Sequence, residues 1–202
     1  MKRFFLIIST LIVSFNAFSQ NVDIDILKNI NLNRNKNLDP TFRFITNSAA
    51  PISIAFPVII FSVGAIQKDS SLKRKGLYIG ESILVATFIS TALKYGVNRT
   101  RPFVTYPYLE KETSGGSPSF PSGHTSDAFA TATSLSIAFP KWYVIAPSFL
   151  WASAVGYSRM DLGVHYPSDV VAGAVVGAGS AYLCYKVNKW LFKKRQNQML
   201  HV

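Results

Sequence analysis

Three short clusters in this chain place basic residues and histidines at spacings that suit phosphate chemistry. The first is Lys94 with Arg101-Pro102, a K-x6-R-P pattern. The second is Pro121-Ser122-Gly123-His124, and the third runs from Ser158-Arg159 through His165 to Asp169. Lys94, Arg101 and Arg159 repel one another unless an anion joins them. Arginine suits a phosphate because its planar fork makes paired bonds to phosphate oxygens. Ser122-Gly123-His124 opens a stretch that reads as a helix. A helix start offers free N–H groups and a dipole that favours an anion, and Gly123 lets the backbone come close to it.

Two of the three histidines in the chain fall in these clusters. Asp169 follows His165 across Pro167, in the first turn of an expected helix. A bond from Asp169 to one imidazole nitrogen would fix the tautomer and leave the other nitrogen as a nucleophile. His124, across the site, then has the role of general acid toward the leaving oxygen. These roles add up to phosphoryl transfer to His165 and hydrolysis of the phosphohistidine. Charge stabilisation by the cations stands in place of a metal, and no cofactor is implied. Each cluster alone also has a structural account. Lys94 and Arg101 can anchor at a membrane interface, Ser122 can cap a helix, and His165 with Asp169 can be a structural hydrogen bond. Three motifs in one order, all converging on one end, are not expected from those accounts.

The segments between the clusters must bring them together, and they read as helices. Residues 49–67 are almost uncharged, 76–93 are apolar with Glu81 as the one acid, and 122–139, 142–157 and 168–192 follow. Ser168 stands as N-cap of the last, which carries Gly173, Gly177 and Gly179 among alanines, a composition that lets membrane helices approach closely. Residues 99–121 read as a long loop rich in Gly, Ser, Pro and Thr, and such loops usually serve a function. Residues 105–118 are expected to gate or select the substrate. No sustained strand alternation is present.

The chain has 202 residues, 49% hydrophobic and only 15% charged, with a formal net charge of +11. That composition excludes intrinsic disorder. The single cysteine, Cys184, excludes an internal disulfide and a cysteine-based zinc site. Excess positive charge on an apolar chain points to phosphate or anionic lipid rather than nucleic acid.

Lys2 and Arg3 precede an apolar run to Val13, and Ala17 and Ser19 follow at the spacing of a cleavage site. Residues 1–19 therefore read as a signal peptide or N-terminal anchor. Residues 20–47 read as a non-cytoplasmic segment of short helix and loop, broken at Asp39-Pro40. Its Ile24, Leu27, Ile30 and Leu32 recur at helical spacing, to lie on a membrane or pack on the bundle. Residues 48–192 form the helical domain and 193–202 a basic cytoplasmic tail. If each apolar stretch crosses once, Lys68, Lys73, Arg74, Lys75, Lys141, Lys186 and Lys189 fall on the cytoplasmic side, as the positive-inside rule expects. Lys94, Arg101 and Arg159 fall on the opposite side, and all three clusters share it. The fold class expected is an all-α, membrane-embedded bundle of about five helices.

The three clusters resemble the signature of the type 2 phosphatidic acid phosphatase superfamily. It includes membrane lipid phosphate phosphatases, secreted class A acid phosphatases and vanadium haloperoxidases. The resemblance covers roughly residues 39–169 and into the last helix. It implies an all-helical fold and a metal-independent phosphatase or pyrophosphatase. By position, His165 resembles the nucleophile, Asp169 its partner and His124 the acid. Lys94, Arg101, Ser122, Gly123 and Arg159 resemble the phosphate ligands. A membrane form implies a lipid substrate at the outer leaflet of the inner membrane: undecaprenyl diphosphate, phosphatidylglycerol phosphate, phosphatidic acid or a lipid A phosphate. A soluble form implies small phosphomonoesters, but 49–67 lacks the charged face of a soluble helix. A non-catalytic headgroup binder would not need His124, His165 and Asp169 together.

Overall fold

The computed structural model describes residues 22–199, with side chains through 191. The expected leader at 1–19 and the last residues of the tail lie outside the described residues. Helix α1 spans 22–32, and a 3-10 turn follows at Lys36–Leu38. The later helices are α2 (Asp39–Asn47), α3 (Ala49–Ile66), α4 (Ser70–Val97), the single turn α5 (Pro102–Thr105), α6 (Gly123–Ala138), α7 (Trp142–Asp161) and α8 (Pro167–Met199). Among the described residues there is no strand. Five long helices, α3, α4, α6, α7 and α8, make the bundle, as the sequence leads one to expect.

Several boundaries differ from the sequence reading, each for a local reason. Asp39-Pro40 opens α2 instead of breaking a helix, because proline is tolerated in a first turn. Helix α4 begins before residue 76. The Asp69 side chain caps it, accepting from the N–H groups of Ser71 (2.7 Å) and Leu72 (3.1 Å). Helix α7 runs past Tyr157 to Asp161, so Ser158 and Arg159 are helical rather than looped. Its true stop is Gly163, at φ 73°. The Gly163 N–H bonds to the Met160 carbonyl (2.9 Å) and the Val164 N–H to that of Arg159 (3.1 Å), the paired bonds of a Schellman turn. A Cβ at Gly163 would also lie 2.2 Å from the Glu110 carbonyl oxygen. Helix α8 begins at Pro167, so Ser168 is inside its first turn rather than its N-cap. It also continues through the start of the expected tail.

Helix α6 is the axis of the bundle and packs against α8, α7, α4 and α3. Its buried residues are small, Thr125, Ser126, Ala128, Ala130, Thr131, Ala132, Ser134 and Ala138, apart from Leu135. Their hydroxyls stay inside the bundle, as when Thr131 Oγ1 donates to the Asp127 carbonyl and lies in hydrogen-bond contact with Ser53 Oγ, both at 2.8 Å. Gly173 and Gly177 of α8 make the close approach. A Cβ there would lie 2.6 Å from the Ser122 carbonyl oxygen and 2.2 Å from that of Ser126. Gly179 faces open space and has no part in this seam.

Large apolar side chains point outward instead: Ile54, Val58 and Ile59 on α3, Leu84 and Phe88 on α4, and Val171 and Val175 on α8. A small-residue interior and an apolar exterior suit lipid as the solvent. Three helical stretches among the described residues are long and apolar enough to cross a membrane: Lys36–Ile66, Ser70–Thr105 and Pro167–Leu191. Helices α6 and α7 are not among them. The polarity of α6 fits its place inside the other helices.

Helices α1 and α2 cover the end of the bundle where α4 finishes and α6 starts. Ile24 and Leu27 are buried against Leu109 and Tyr166. Asn31 fastens this cover, donating to the carbonyls of Glu110 (3.0 Å) and Asp161 (2.8 Å) and accepting from the Glu110 N–H (2.9 Å). Of the two placements expected for this segment, packing on the bundle is the one observed for Ile24 and Leu27.

Candidate active site

The last turn of α4, the first turn of α6, the last turn of α7 and the turn before α8 meet at one end of the bundle. Between them lies a cavity of about 190 Å³ lined by Lys94, Arg101, Gly123, His124, Arg159 and His165, together with residues 114–117. Six of the eight residues singled out in the sequence thus face one small polar space.

Asp169 and Ser122 do not line it. Asp169 stands behind His165, as its spacing implied: His165 Nδ1 lies 3.4 Å from Asp169 Oδ2, a long contact. Ser122 turns away. It precedes α6 but makes no side-chain cap, its Oγ accepts from Thr125 Oγ1 (2.8 Å), and it is fully buried. Gly123 fits the expectation of open backbone, since the nearest neighbour of an added Cβ would be Lys94 Cε at 3.7 Å.

His165 is 1% exposed. Its Nε2 lies 3.3 Å from Arg101 Nη1. With a proton on Nδ1, directed at Asp169, the Nε2 lone pair faces that guanidinium. Burial is the main force that holds the His165 pKa down, to about 3, and Arg101 and Arg159 add to it against the pull of Asp169. His165 is therefore neutral at pH 7, the state a nucleophile requires. His124 sits in the first turn of α6, outside the three apolar stretches. Burial, then Arg159, Arg101 and Lys94, lower its pKa to about 4.

The three cations hold carbonyl groups of the long loop. Lys94 Nζ donates to the carbonyls of Pro118 (2.9 Å) and Pro121 (2.7 Å). Arg101 Nε donates to Ser117 (2.7 Å) and its Nη1 to the Val164 carbonyl (2.8 Å). Arg159 Nη2 donates to the Ser114 carbonyl (3.1 Å) and its Nη1 to Thr46 Oγ1 (2.7 Å). Arg159 is 2% exposed, and its buried Nε has no partner among the described residues. Farther along the loop, Glu110 binds Arg34 (2.7 Å) and Lys36 (2.8 Å), and Glu112 binds Arg43. A loop fastened at this many points is a wall of the site more than a free flap.

Four participants escaped the sequence reading. Ser119 Oγ donates to Asp169 Oδ2. Thr46 orients Arg159. Gly163 ends α7 so that His165 follows Arg159 at the correct turn, and a glycine just past an apolar helix was the signal for it. Arg99 bonds Asp169 Oδ1 at 2.8 Å. It stands inside the K-x6-R spacing, where nothing marks it apart from its neighbours.

The PAP2 superfamily profile matches residues 75–193. The lipid A 4'-phosphatase of Bacteroides thetaiotaomicron is 34% identical over 100 residues, covering 50% of this chain and 44% of that protein. The undecaprenyl-diphosphatase of Sulfolobus acidocaldarius is 32% identical over 132 residues, covering 63% of this chain and 62% of that protein. This chain thus spans about half to three-fifths of the length of these two relatives. Two crystal structures resemble it. Aquifex aeolicus LpxE superposes with a TM-score of 0.69 at 28% identity, over 82% of this chain and 95% of that one. The PAP2-type phosphatidylglycerolphosphate phosphatase of Bacillus subtilis superposes with a TM-score of 0.72 at 25% identity, over 92% and 94%.

Proposed function

Because this chain belongs to the PAP2 superfamily, we propose that it is a metal-independent phosphatase that hydrolyses a lipid phosphate or diphosphate through a phosphohistidine. The observation that carries this reading is His165. It is buried and neutral, backed by Asp169 on one nitrogen, with the other beside Arg101 in a cavity that Lys94 and Arg159 also line.

In the proposed cycle, substrate phosphate oxygens take the donors of Arg101, Arg159 and Lys94, and the N–H groups at the start of α6. As Arg101 turns to the phosphate, the Nε2 lone pair of His165 is released and attacks phosphorus. The bond to the leaving oxygen breaks, and that oxygen takes a proton from His124. The imidazole, now phosphorylated on Nε2 and protonated on Nδ1, is stabilised by Asp169. Water then attacks phosphorus while His124 accepts its proton. The P–N bond breaks, its electron pair returns to His165, and inorganic phosphate leaves. Cations aimed at the developing charge in a dry site supply the stabilisation.

The free protein holds His124 without its proton at pH 7, since its pKa is lowered to about 4. A bound phosphate offsets Arg159, Arg101 and Lys94, so the substrate itself raises the pKa of the acid that serves it. His124→Ala is accordingly expected to lose about 10²- to 10⁴-fold on a lipid phosphate, whose alkoxide needs a proton. It should lose far less on para-nitrophenyl phosphate, whose phenolate leaves unaided. Equal losses on both substrates would remove the acid role.

A lipid substrate is supported by the three membrane-length apolar stretches and by the likeness to two relatives, a lipid A 4'-phosphatase and an undecaprenyl-diphosphatase. Undecaprenyl diphosphate, phosphatidylglycerol phosphate, phosphatidic acid and lipid A phosphates all fit a phosphate-sized cavity at the end of an apolar bundle. We place the site at the outer, periplasmic face of the inner membrane. Lys68, Lys73, Lys141, Lys186 and Lys189 gather at the other end, and that end faces the cytoplasm by the positive-inside rule.

The test is phosphate release from a panel of these lipids in detergent, beside para-nitrophenyl phosphate. Release from one lipid is the expected result. Release from the small ester alone would move the protein to the secreted acid phosphatases, and release from none would leave a headgroup-binding protein.

A further inference from the structure

Asp169 is fully buried and crowded with donors. Its Oδ1 accepts from Arg99 Nη1 (2.8 Å). Its Oδ2 accepts from Ser119 Oγ and the Tyr166 N–H (3.0 Å), and faces His165 Nδ1. Arg99 does not reach the cavity. It stacks on the Tyr166 ring at 3.9 Å and turns its second branch outward, where Nη2 bonds Asp23 Oδ2 at 2.7 Å. Asp23 lies on α1 and is 5% exposed. Its carboxylate also accepts from the Ser168 N–H (2.8 Å) and Ser168 Oγ. One guanidinium therefore stands between two buried carboxylates. The outer one belongs to a helix that precedes residues 75–193.

Docking α1 does not by itself call for this arrangement. Ile24 and Leu27 supply the apolar contact, and Asn31 supplies three hydrogen bonds at the far end of the helix. Beyond its bonds to Ser168, Asp23 brings a second negative charge to Arg99, which Asp169 would otherwise meet unaided. The balance of charge behind His165 depends on it. With Asp23 in place, Arg99 and Asp23 cancel, and Asp169 keeps a net negative charge toward the imidazole. Without it, Arg99 cancels Asp169. The positive charge that His165 acquires on attack then develops among Arg101, Arg159 and Lys94 with no anion to meet it. An Arg99 left with one carboxylate would also draw Asp169 toward itself and away from an Nδ1 contact that is already 3.4 Å long.

We propose that Asp23 is a positioning residue for the phosphoryl transfer: it clamps Arg99 so that Asp169 keeps the charge and orientation that His165 needs. This rests on the reading of His165 as nucleophile.

The test uses the full chain in detergent and compares wild type, Asp23→Asn, Asp23→Asn with Arg99→Met, and Asn31→Ala, with His165→Ala as the blank. Asp23→Asn is expected to lower kcat by about 10- to 100-fold, the range seen when an outer partner of a working residue is lost. KM should stay within about twofold, because the phosphate ligands are untouched. Adding Arg99→Met should restore part of the loss by removing the uncompensated cation. Asn31→Ala loosens α1 without touching Arg99 and should lower the unfolding temperature with little change in kcat. The proposal is overturned if Asp23→Asn keeps wild-type kcat. It is also overturned if Asp23→Asn and Asn31→Ala lose kcat in proportion to their stability, with no rescue by Arg99→Met, which would make Asp23 a docking anchor. If wild type and His165→Ala turn over alike, the nucleophile reading has failed and the positioning role of Asp23 falls with it. Turnover that depends on His165 but not on Asp23 removes the positioning role alone.

Discussion

His165→Ala is expected to abolish phosphate release, with a loss of at least about 10⁴-fold, the scale on which enzymes lose a nucleophile. The reason is geometric. His165 is the one imidazole in the cavity whose second nitrogen faces a carboxylate. His124 has no carboxylate partner among the described residues, and burial, then the neighbouring cations, lower its pKa. Rapid quench with a radiolabelled substrate should trap acid-labile, base-stable phosphate on wild type and none on the variant. The substitution removes a buried ring, so folding must be checked by helical circular dichroism. Wild-type helicity with residual turnover above about one per cent would refute the nucleophile assignment, as would undiminished labelling.

Arg159→Ala carries the second large effect, about 10²- to 10³-fold in kcat/KM, the cost of removing one preorganised donor from a developing charge. Its guanidinium is 2% exposed, is held by Thr46 and the Ser114 carbonyl, and has one buried N–H without a partner among the described residues. Arg159→Lys should recover only part of the loss, because an ammonium cannot reproduce the fork. The stability effect should have the opposite sign to what burial suggests. Arg159 shares its small cavity with Arg101 and Lys94, so its removal relieves repulsion in the ligand-free state. The variant should unfold at or above the wild-type temperature, as expected where a site is assembled at the expense of stability. Vanadate, a phosphate mimic, should raise the wild-type midpoint and not that of Arg159→Ala. A variant that loses several degrees and responds to vanadate would overturn this account of the cations.

The parts legible in the sequence were those set by local geometry. The end of α4 carries Lys94, the start of α6 carries His124, and His165 precedes Asp169 by one helical turn, so those spacings are helix spacings. Long apolar stretches made the bundle legible for the same reason. Cap chemistry was legible in principle and was missed twice. Asp69 starts α4 early and Gly163 stops α7 late, which moved Arg159 from a loop onto a helix. Ser122 misled because the residue before a helix is a capping position by type, and Thr125 takes its hydroxyl instead. Asp23 and Arg99 were beyond reach. They lie 76 residues apart, and no periodicity links an acid in the polar segment 20–47 to one arginine among several. Thr46 and Arg159 meet across 113 residues for the same reason.

The loop carbonyls on the three cations bear on how the reaction ends. Lys94, Arg101 and Arg159 already hold the oxygens of Ser114, Ser117, Pro118 and Pro121. A substrate phosphate would therefore enter by exchanging partners, and exchanged hydrogen bonds change free energy only modestly. On the proposed reading, retention of substrate then falls to the lipid tail in the bilayer. Inorganic phosphate has no tail, and the carbonyls close back on the cations as it departs. Such a site would tell substrate from product by whether the phosphate is still tethered to a membrane, and would turn over in the presence of free phosphate that would clog an empty cluster of three cations.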